Sequence, residues 1–168
     1  KFVQKVIENR SQPVVVDADA LNLLSPWRGG NATVKERAVS SNSGTLVDTR
    51  VSALILTPHE GEFMRLLGTD DKDAIKDRVG AVRDFAVKNN VTLILKGERV
   101  LIGSPDGRVV VNPTGNPGLG KAGNGDTLAG ILAGFVAQAK QFKIDIFETV
   151  VAAVYVAGMA GDIAERKY

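Results

Sequence analysis

A glycine-rich stretch that ends in an aspartate is the part of the sequence best suited to phosphate chemistry. Residues 115–125 contain five glycines and are followed at once by Asp126. The next apolar residues have the spacing of one buried helix face, at Leu128, Ile131, Leu132, Phe135 and Val136. A glycine-rich loop that runs into a helix exposes backbone N–H groups at the positive end of the helix dipole, which attracts anions such as phosphate. We therefore predict that Asp126 is a base that deprotonates a hydroxyl group attacking phosphorus.

The same stretch allows other interpretations. It is also compatible with a tight turn, in which Asp126 is only a dipole partner for the first helical turn. Residues 115–121 match G-x-x-x-x-G-K, but Ala122 stands where a P-loop needs Ser or Thr, and the expected helix begins too late. Residues 118–123 match G-x-G-x-x-G, but the helical pattern begins after Asp126 and residues 142–146 make a poor second strand. We attribute both motif matches to glycine density.

Length and composition indicate one globular domain. The chain has 168 residues, of which 44% are hydrophobic and 24% are charged. A net charge of +2 with scattered lysines and arginines argues against nucleic-acid binding. No uninterrupted apolar run approaches the roughly 18 residues of a membrane span, so we expect no membrane association. The absence of cysteine excludes disulfides and thiolate metal sites and fits a cytoplasmic enzyme.

Short apolar runs alternate with helical patterns along the chain. Buried parallel strands are predicted at 13–17, 53–56 and 91–95, a β-hairpin at 100–111, and helices at 73–89 and 146–165. Residues 25–50 are expected to form a surface insertion with a short helix at 34–40. Trp27 within it is either a packing or a functional residue. This order predicts an α/β layered domain with a largely parallel central sheet flanked by helices.

Two carboxylates and an amide follow the first predicted strand. Asp17, Asp19 and Asn22 come where ligands bind in open α/β sheets, so Asp19 and Asn22 are candidate substrate-binding residues. The alternative is that Asp19 caps a short helix that runs through Leu24.

The second predicted strand leads into the only histidine of the chain. His59 lies at a strand-to-helix turn, where binding residues tend to gather, although a lone histidine is often structural. Glu62, one turn further on, is placed to orient water or magnesium near phosphates, or else to act as a first-turn dipole partner.

Four motifs together resemble those of the ADP/ATP-dependent NAD(P)H-hydrate dehydratases, which have the ribokinase-like fold. They are Asp17-Ala-Asp-Ala-Leu-Asn-Leu-Leu, Thr57-Pro-His-Glu-Gly-Glu-Phe, Leu95-Lys-Gly and Gly123-Asn-Gly-Asp126, and the resemblance covers nearly the whole chain. It implies a repair enzyme that phosphorylates the hydroxyl of hydrated NADH or NADPH (NADHX or NADPHX). Phosphate is then eliminated to restore the dinucleotide. ADP or ATP would be the phosphoryl donor and Mg²⁺ the cofactor.

The resemblance also implies roles for individual residues. Asp126 matches the catalytic base, His59 a residue that contacts the hydrated nicotinamide, and Glu62 an acidic position near magnesium. The anion hole for the transferred phosphoryl group matches Gly123, Asn124 and Gly125. The adenine-nucleotide site matches Lys96, Gly97, Glu98, Arg99 and Val100, together with Gly125. Such a set suffices, because phosphoryl transfer depends mainly on positioning and charge neutralisation.

The sequence departs from the family pattern at several points. Asn124 stands where Ser or Thr is expected, and residues 25–50 are longer than the usual connection. The family's N-terminal portion and extreme C-terminus are absent, and Lys1 begins what reads as the end of an amphipathic helix. We therefore expect residues 1–168 to be a single incomplete ribokinase-like domain that is inactive alone. A homo-oligomer is expected, and an epimerase domain in the parent chain is allowed.

Two other functions remain open. A ribokinase-like kinase of a vitamin precursor or sugar would use Asp126 in the same role and release a stable phosphorylated product. His59 favours the dehydratase, because related vitamin kinases tend to carry Asn there. A non-catalytic nucleotide-binding domain would keep its nucleotide affinity in the Asp126→Asn variant and show no turnover.

Overall fold

The computed structural model describes residues 2–28 and 54–167. The predicted helix at 34–40 and most of the expected insertion at 25–50 lie outside the described residues. The helices are α1 Phe2–Glu8, α2 Asp19–Leu23, α3 Glu60–Leu67, α4 Arg78–Asn89, α5 Asn124–Phe142 and α6 Ile146–Lys167. The strands are β1 Val14–Val16, β2 Leu54–Leu56, β3 Thr92–Leu95, β4 Leu101–Gly103 and β5 Val109–Val111. Short 3₁₀ turns cover Lys72–Ile75 and Pro117–Gly120.

The strands of the described part of the chain form one sheet in the order β1-β2-β3-β4-β5. The pairs β1–β2 and β2–β3 are parallel, while β3–β4 and β4–β5 are antiparallel. All strands except β4 therefore point the same way, which confirms the largely parallel sheet. The β4–β5 hairpin turns at Gly107, whose φ of 91° suits glycine, as the Pro-Asp-Gly signal predicted.

Successive strand residues point to opposite faces of the sheet and pack into two hydrophobic layers. Leu54 and Leu56 pack on the face covered by α1–α4, whereas Ile55 between them packs on the face covered by α5 and α6. The buried stripe of α5 is anchored by Leu132 and Val136, as its spacing predicted. On the other face the half-buried Trp27 ring meets Phe85 edge-on at 6.0 Å between centroids, which supports its interpretation as a packing residue. The result is a three-layer α/β domain.

The helix expected at 73–89 is shorter than the sequence predicted. Residues 72–75 form a 3₁₀ turn, and α4 begins only at Arg78, where the Asp77 side chain accepts a hydrogen bond from the Gly80 N–H. Because Ile75 is still buried in the same core, the apolar spacing continues across the break and conceals it. The predicted end is confirmed, with Asn90 in the left-handed region at a φ of 52°.

Close packing against α6 fixes the start of the glycine-rich stretch. The Thr114 hydroxyl donates to the Tyr155 carbonyl at 2.9 Å, and the Asp162 carboxylate accepts from the Gly115 N–H at 2.9 Å. A Cβ at Gly158 would lie 2.8 Å from the Thr114 carbonyl carbon, so only glycine permits this approach. The small residues of α6 therefore hold the loop that leads to α5.

By length and composition, α6 is the one described helix that could cross a membrane. A third of its apolar window is buried, and core helices of soluble proteins often meet the same criteria. The sequence prediction concerned uninterrupted apolar runs, and α6 contains none of about 18 residues, because Glu148 and Asp162 interrupt it. The valines, isoleucines and alanines of α6 raise its mean hydropathy without making such a run.

Candidate active site

The carboxyl ends of the three parallel strands meet at one edge of the sheet. Asp17 follows β1, His59 follows β2 and Lys96 follows β3. The Lys96 N–H donates to the Pro58 carbonyl at 2.8 Å, and the Thr57 N–H donates to the Val16 carbonyl at 3.1 Å. These bonds extend the strand pairing past the strand ends, so residues from distant parts of the chain are held side by side.

An ion pair bridges the first and third of these strand ends. Lys96 Nζ lies 2.8 Å from Asp17 Oδ1 and 3.9 Å from Glu62 Oε2. The exposed fractions of these side chains are 22% for Lys96, 13% for Asp17 and 7% for Glu62. Burial alone would raise the pKa of Asp17, but hydrogen bonds from Lys96 and Thr57 and the Lys96 charge outweigh burial and lower it. Asp17 is therefore a stable carboxylate partner for the ammonium group.

His59 and Glu62 form the N-terminal cap of α3. His59 Nδ1 accepts from the Gly61 and Glu62 N–H groups at 3.0 and 3.3 Å, while Glu62 Oε2 accepts from the His59 N–H at 2.8 Å. This reciprocal arrangement is a capping box, so both residues have a structural role. The His59 side chain nevertheless remains 55% exposed, which leaves its ring accessible to a ligand.

The N-terminus of α5 adjoins the ion pair. The helix begins at Asn124, so Asp126 lies in its first turn. The apolar spacing had instead predicted a helix that begins after Asp126. A Cβ placed on Gly125 would lie 3.4 Å from Asp17 Oδ2 and 3.6 Å from Lys96 Nζ. Gly123 caps the helix with a φ of 89°, a conformation that favours glycine. The structure thus brings the glycine-rich loop to the strand ends.

Asp126 and Asn124 differ in how the fold uses their side chains. Asp126 is exposed, and within the described residues no side chain hydrogen-bonds to its carboxylate. Asn124 Nδ2 donates to the Leu119 carbonyl at 2.9 Å and so helps to shape the preceding loop. Backbone N–H groups, rather than the Asn124 amide, are therefore the donors that the loop offers to an anion.

Arg78 shapes the segment that follows Lys96. Its guanidinium lies 3.2 Å from Glu60 Oε1 and donates to the Arg99 carbonyl at 3.4 Å. A Cβ on Gly97 would lie 2.6 Å from Arg78 Nη2, so glycine gives the guanidinium room. Gly97, Glu98 and Arg99 are exposed, whereas Val100 packs on the core covered by α5 and α6. Residues 97–100 thus follow the ion pair directly and are held in place by Arg78 and by the packing of Val100.

The two candidate substrate-binding residues of α2, Asp19 and Asn22, lie at the same edge but differ in their hydrogen bonds. Asp19 is the exposed first residue of α2, and the N-cap is Ala18, with no side-chain capping bond. The capping interpretation of Asp19 is therefore wrong, because Ala18 has a φ of 51° and displaces the cap by one residue. Asn22 Oδ1 accepts from Arg65 Nε at 2.9 Å, which links α2 to α3.

Asp17 is the site residue that sequence reasoning did not select. Both Asp17 and Asp19 follow the first predicted strand, and the sequence alone does not indicate which of the two carboxylates has a partner. Its partner Lys96 is 79 residues away, so only the sheet order reveals the pair.

The described residues contain no group of three or more side chains suited to hold a metal ion. Magnesium that enters with nucleotide phosphates needs only one or two protein carboxylates, because phosphate oxygens and waters complete its shell. Glu62 fits that requirement, whereas the Asp17 carboxylate is already paired with Lys96 at 2.8 Å.

Two apolar grooves lie away from this edge, on the surfaces of α5 and α6. One of about 430 Å³ is lined by Val110, Phe147 and Tyr155 among others, and one of about 320 Å³ includes Phe135 and Phe142. Neither groove is lined by Asp17, His59, Glu62 or Lys96. The candidate active site is instead the open edge where the polar residues and the α5 N-terminus converge.

Comparison with known proteins agrees with this geometry. A family described as NAD(P)H-hydrate dehydratase matches residues 1–168. The ADP-dependent (S)-NAD(P)H-hydrate dehydratase of Neisseria meningitidis is 38% identical over 159 residues, which cover 95% of this chain and 48% of the relative. A bifunctional NAD(P)H-hydrate repair enzyme of Moorella thermoacetica is 38% identical over 166 residues, 99% of this chain and 28% of the relative.

Solved structures show the same fold. The ADP/ATP-dependent NAD(P)H-hydrate dehydratase of Bacillus subtilis, co-crystallised with ATP and Mg²⁺, matches with a TM-score of 0.63 and 35% identity over 68% of this chain and 40% of that one. A ribokinase-like superfamily protein of Enterococcus faecalis matches with a TM-score of 0.66 and 26% identity over 97% of this chain and 51% of that one. The chain thus spans less than half the length of the curated relatives described here. It belongs to the NAD(P)H-hydrate dehydratase family.

Proposed function

We propose that the protein carrying this chain dehydrates (S)-NAD(P)H-hydrate at the expense of ADP or ATP. The observation that carries this proposal is the placement of the α5 N-terminus, with Asp126 in its first turn, beside the Asp17–Lys96 ion pair. This arrangement combines backbone donors, a cation and an accessible carboxylate, which are the parts that phosphoryl transfer needs. Family membership supplies the substrate class.

The first step is phosphorylation of the substrate hydroxyl. Asp126 takes the hydroxyl proton while the hydroxyl oxygen bonds to the terminal phosphorus of the nucleotide. The bond from that phosphorus to its bridging oxygen breaks, and the shortened nucleotide leaves. In the anion hole of Gly123, Asn124 and Gly125, the Asn124 N–H already donates to the Lys121 carbonyl at 3.3 Å. The N–H groups of Gly123 and Gly125 therefore hold the transferred phosphoryl oxygens, and Lys96 offsets their negative charge.

The second step is elimination of phosphate from the ester. The carbon–oxygen bond breaks with both electrons going to phosphate, and loss of a proton from the neighbouring carbon restores the ring double bond. Phosphate is a much better leaving group than hydroxide, so phosphorylation is the step that requires the catalytic residues.

The remaining site residues are proposed to bind substrate, nucleotide and magnesium. His59, with its accessible ring, and the α2 residues Asp19 and Asn22 contact the hydrated dinucleotide. Glu62 would hold Mg²⁺ brought by the nucleotide, and the ion would supply neutralisation of phosphate charge. The adenine nucleotide lies along Lys96, Gly97, Glu98, Arg99 and Val100, and reaches Gly125.

These assignments concern the full-length protein. We propose that residues 1–168 are part of one ribokinase-like domain and that its remainder is needed for turnover. Relatives named as bifunctional repair enzymes motivate the further proposal that an epimerase domain shares the parent chain. A homo-oligomeric state and a cytoplasmic location complete the proposal, and light scattering and cell fractionation test them.

The decisive experiment uses the full-length protein with hydrated NADH, magnesium and either ATP or ADP. Return of the reduced-nicotinamide absorbance is followed for the wild type, for Asp126→Asn and for Asp84→Asn, a matched change on the exposed face of α4. We expect nucleotide-dependent recovery that falls at least about 100-fold in Asp126→Asn, since a general base contributes that much or more. The Asp84 variant should match the wild type.

Other outcomes separate the alternatives. A phosphorylated product that accumulates, with no restored dinucleotide, would identify a ribokinase-like small-molecule kinase instead. No turnover with either nucleotide, together with unchanged nucleotide affinity in Asp126→Asn, would identify a non-catalytic nucleotide-binding domain.

A further inference from the structure

Lys96 is held between two carboxylates that serve different purposes. Its Nζ atom lies 2.8 Å from Asp17 Oδ1 but 3.9 Å from Glu62 Oε2. Glu62 Oε2 already accepts the His59 N–H at 2.8 Å in the α3 cap. Asp17 is therefore the carboxylate that determines where the ammonium group lies.

Asp17 itself is firmly placed. It directly follows β1, and its Oδ1 accepts a hydrogen bond from Lys96 Nζ at 2.8 Å. Its side chain is 13% exposed, so solvent competes little for the ion pair. A lysine side chain is long and flexible, and without such a partner it samples many rotamers.

The ion pair also faces the anion site directly. The Gly125 position lies within van der Waals range of both Asp17 Oδ2 and Lys96 Nζ, at 3.4 and 3.6 Å from an added Cβ. Gly125 is the second residue of α5, where N–H groups are free of helical partners. The ammonium group is thus fixed beside the N–H groups that would hold the transferred phosphoryl group.

We propose that Asp17 is a positioning residue that directs the Lys96 ammonium toward the phosphoryl group at the N-terminus of α5. This inference rests on the proposed function, which it deepens by naming what aligns its cation. Without the Asp17 charge, Lys96 turns toward Glu62, its other carboxylate neighbour, and away from Gly125. Nucleotide affinity persists, because the Lys96 charge remains near the phosphates, but the alignment needed in the transition state is lost.

The test compares Asp17→Asn with the wild type in the full-length protein. We expect kcat to fall about 10- to 100-fold, the cost of misplacing a catalytic group by roughly 1 Å. The dissociation constant for MgADP, measured by calorimetry, should change less than about threefold or decrease. If Asp17 acted only on stability, its replacement would not lower kcat while leaving the dissociation constant for MgADP unchanged. Asp106→Asn is the matched control, because it removes a carboxylate 2.8 Å from Arg108 Nε in the distant hairpin turn and should leave kcat unchanged.

A double-mutant cycle with Lys96→Gln isolates the pair. If Asp17 acts through Lys96, adding Asp17→Asn to Lys96→Gln should change kcat by less than about threefold. A kcat of Asp17→Asn within threefold of the wild type would overturn the proposal, as would a full additional loss in the double variant.

Crystal structures decide the same point without turnover. In Asp17→Asn, Nζ of Lys96 should lie closer to Glu62 and further from Gly125 than in the wild type; an unmoved ammonium group would overturn the proposal. If the wild type shows no nucleotide-dependent recovery, the proposed function fails. The position of Nζ and the MgADP affinity then still test whether Asp17 positions Lys96.

Discussion

Replacing Gly158 with alanine should loosen the glycine-rich loop from its support. A Cβ there would lie 2.8 and 2.9 Å from the carbonyl carbon and oxygen of Thr114, and it would also clash with the Thr114 hydroxyl. Two of these atoms are backbone, so the loop or α6 has to move. Overpacking of this kind costs about 1–3 kcal/mol, and alanine returns about 0.5–1 kcal/mol through helix propensity. We expect a net loss of about 1 kcal/mol in the free energy of unfolding.

Urea unfolding of the full-length protein measures this loss, with Gly134→Ala as the control. Gly134 is inside α5, and none of the described atoms outside its own helix lies within 4 Å of an added Cβ. The control should therefore be more stable than the wild type by about 0.5–1 kcal/mol. A lower urea midpoint for Gly158→Ala with an unchanged slope would locate the effect in the folded state.

The same variant should also impair the site. Movement of Thr114 is transmitted to Gly115, whose N–H bonds to Asp162, and then along the loop to α5. We expect slower nicotinamide recovery and weaker MgADP binding than in Gly134→Ala. A Gly158→Ala protein as stable and as active as the Gly134 variant would refute the argument that α6 holds the loop.

Three further predictions follow from single positions. Gly123→Ala places a side chain at a φ of 89°; it should cost about 1–2 kcal/mol and weaken MgADP binding, which calorimetry measures. Leu132→Ala empties a fully buried position of α5 and should cost about 2–5 kcal/mol in urea unfolding, so a loss below 1 kcal/mol would contradict its place in the core. The pKa of Asp17 is lowered in the folded state, so its stabilising contribution is complete above its unfolded pKa of about 3.9 and is lost as pH falls through the lower folded value. The stability difference between the wild type and Asp17→Asn, measured by urea unfolding at a series of acidic pH values, should therefore shrink as pH decreases; a difference that grew would contradict this sign.

The sheet was predictable because its strands are short apolar runs bounded by turn residues. Runs ending near Asp17, Thr57 and Lys96 became β1, β2 and β3, and the Pro-Asp-Gly turn became the β4–β5 hairpin. Such runs are signals local to a few residues, so neighbouring chain segments suffice to read them.

Helix starts were predicted less well, since capping competes with apolar spacing. Ile75 fits the spacing of α4 but belongs to a separate 3₁₀ turn, and the caps at Asp71 and Asp77 are the signal that separates the two. In the same way, the apolar spacing of α5 begins only after Asp126, but the helix itself begins at Asn124, because Gly123 adopts the capping conformation.

The site was predictable in its motifs but not in its pairings. Asp126 and His59 stand out as a lone carboxylate after glycines and a lone histidine at a turn. The choice of Asp17 over Asp19 depends on which carboxylate points at Lys96, and that contact is set by strand order and register. A sequence pattern contains no information about distances between segments that are far apart in the chain.

The Asp17–Lys96 pair has a consequence for the order of events in folding. Its partners are 79 residues apart and directly follow β1 and β3, which both pair with β2, so the native pair requires β2 to lie between those strands. Closing such a long loop and forming parallel strands from distant segments is slow compared with forming helices. The active site is therefore complete only after the parallel strands have paired. During refolding, nucleotide binding should appear later than the circular dichroism signal of the helices.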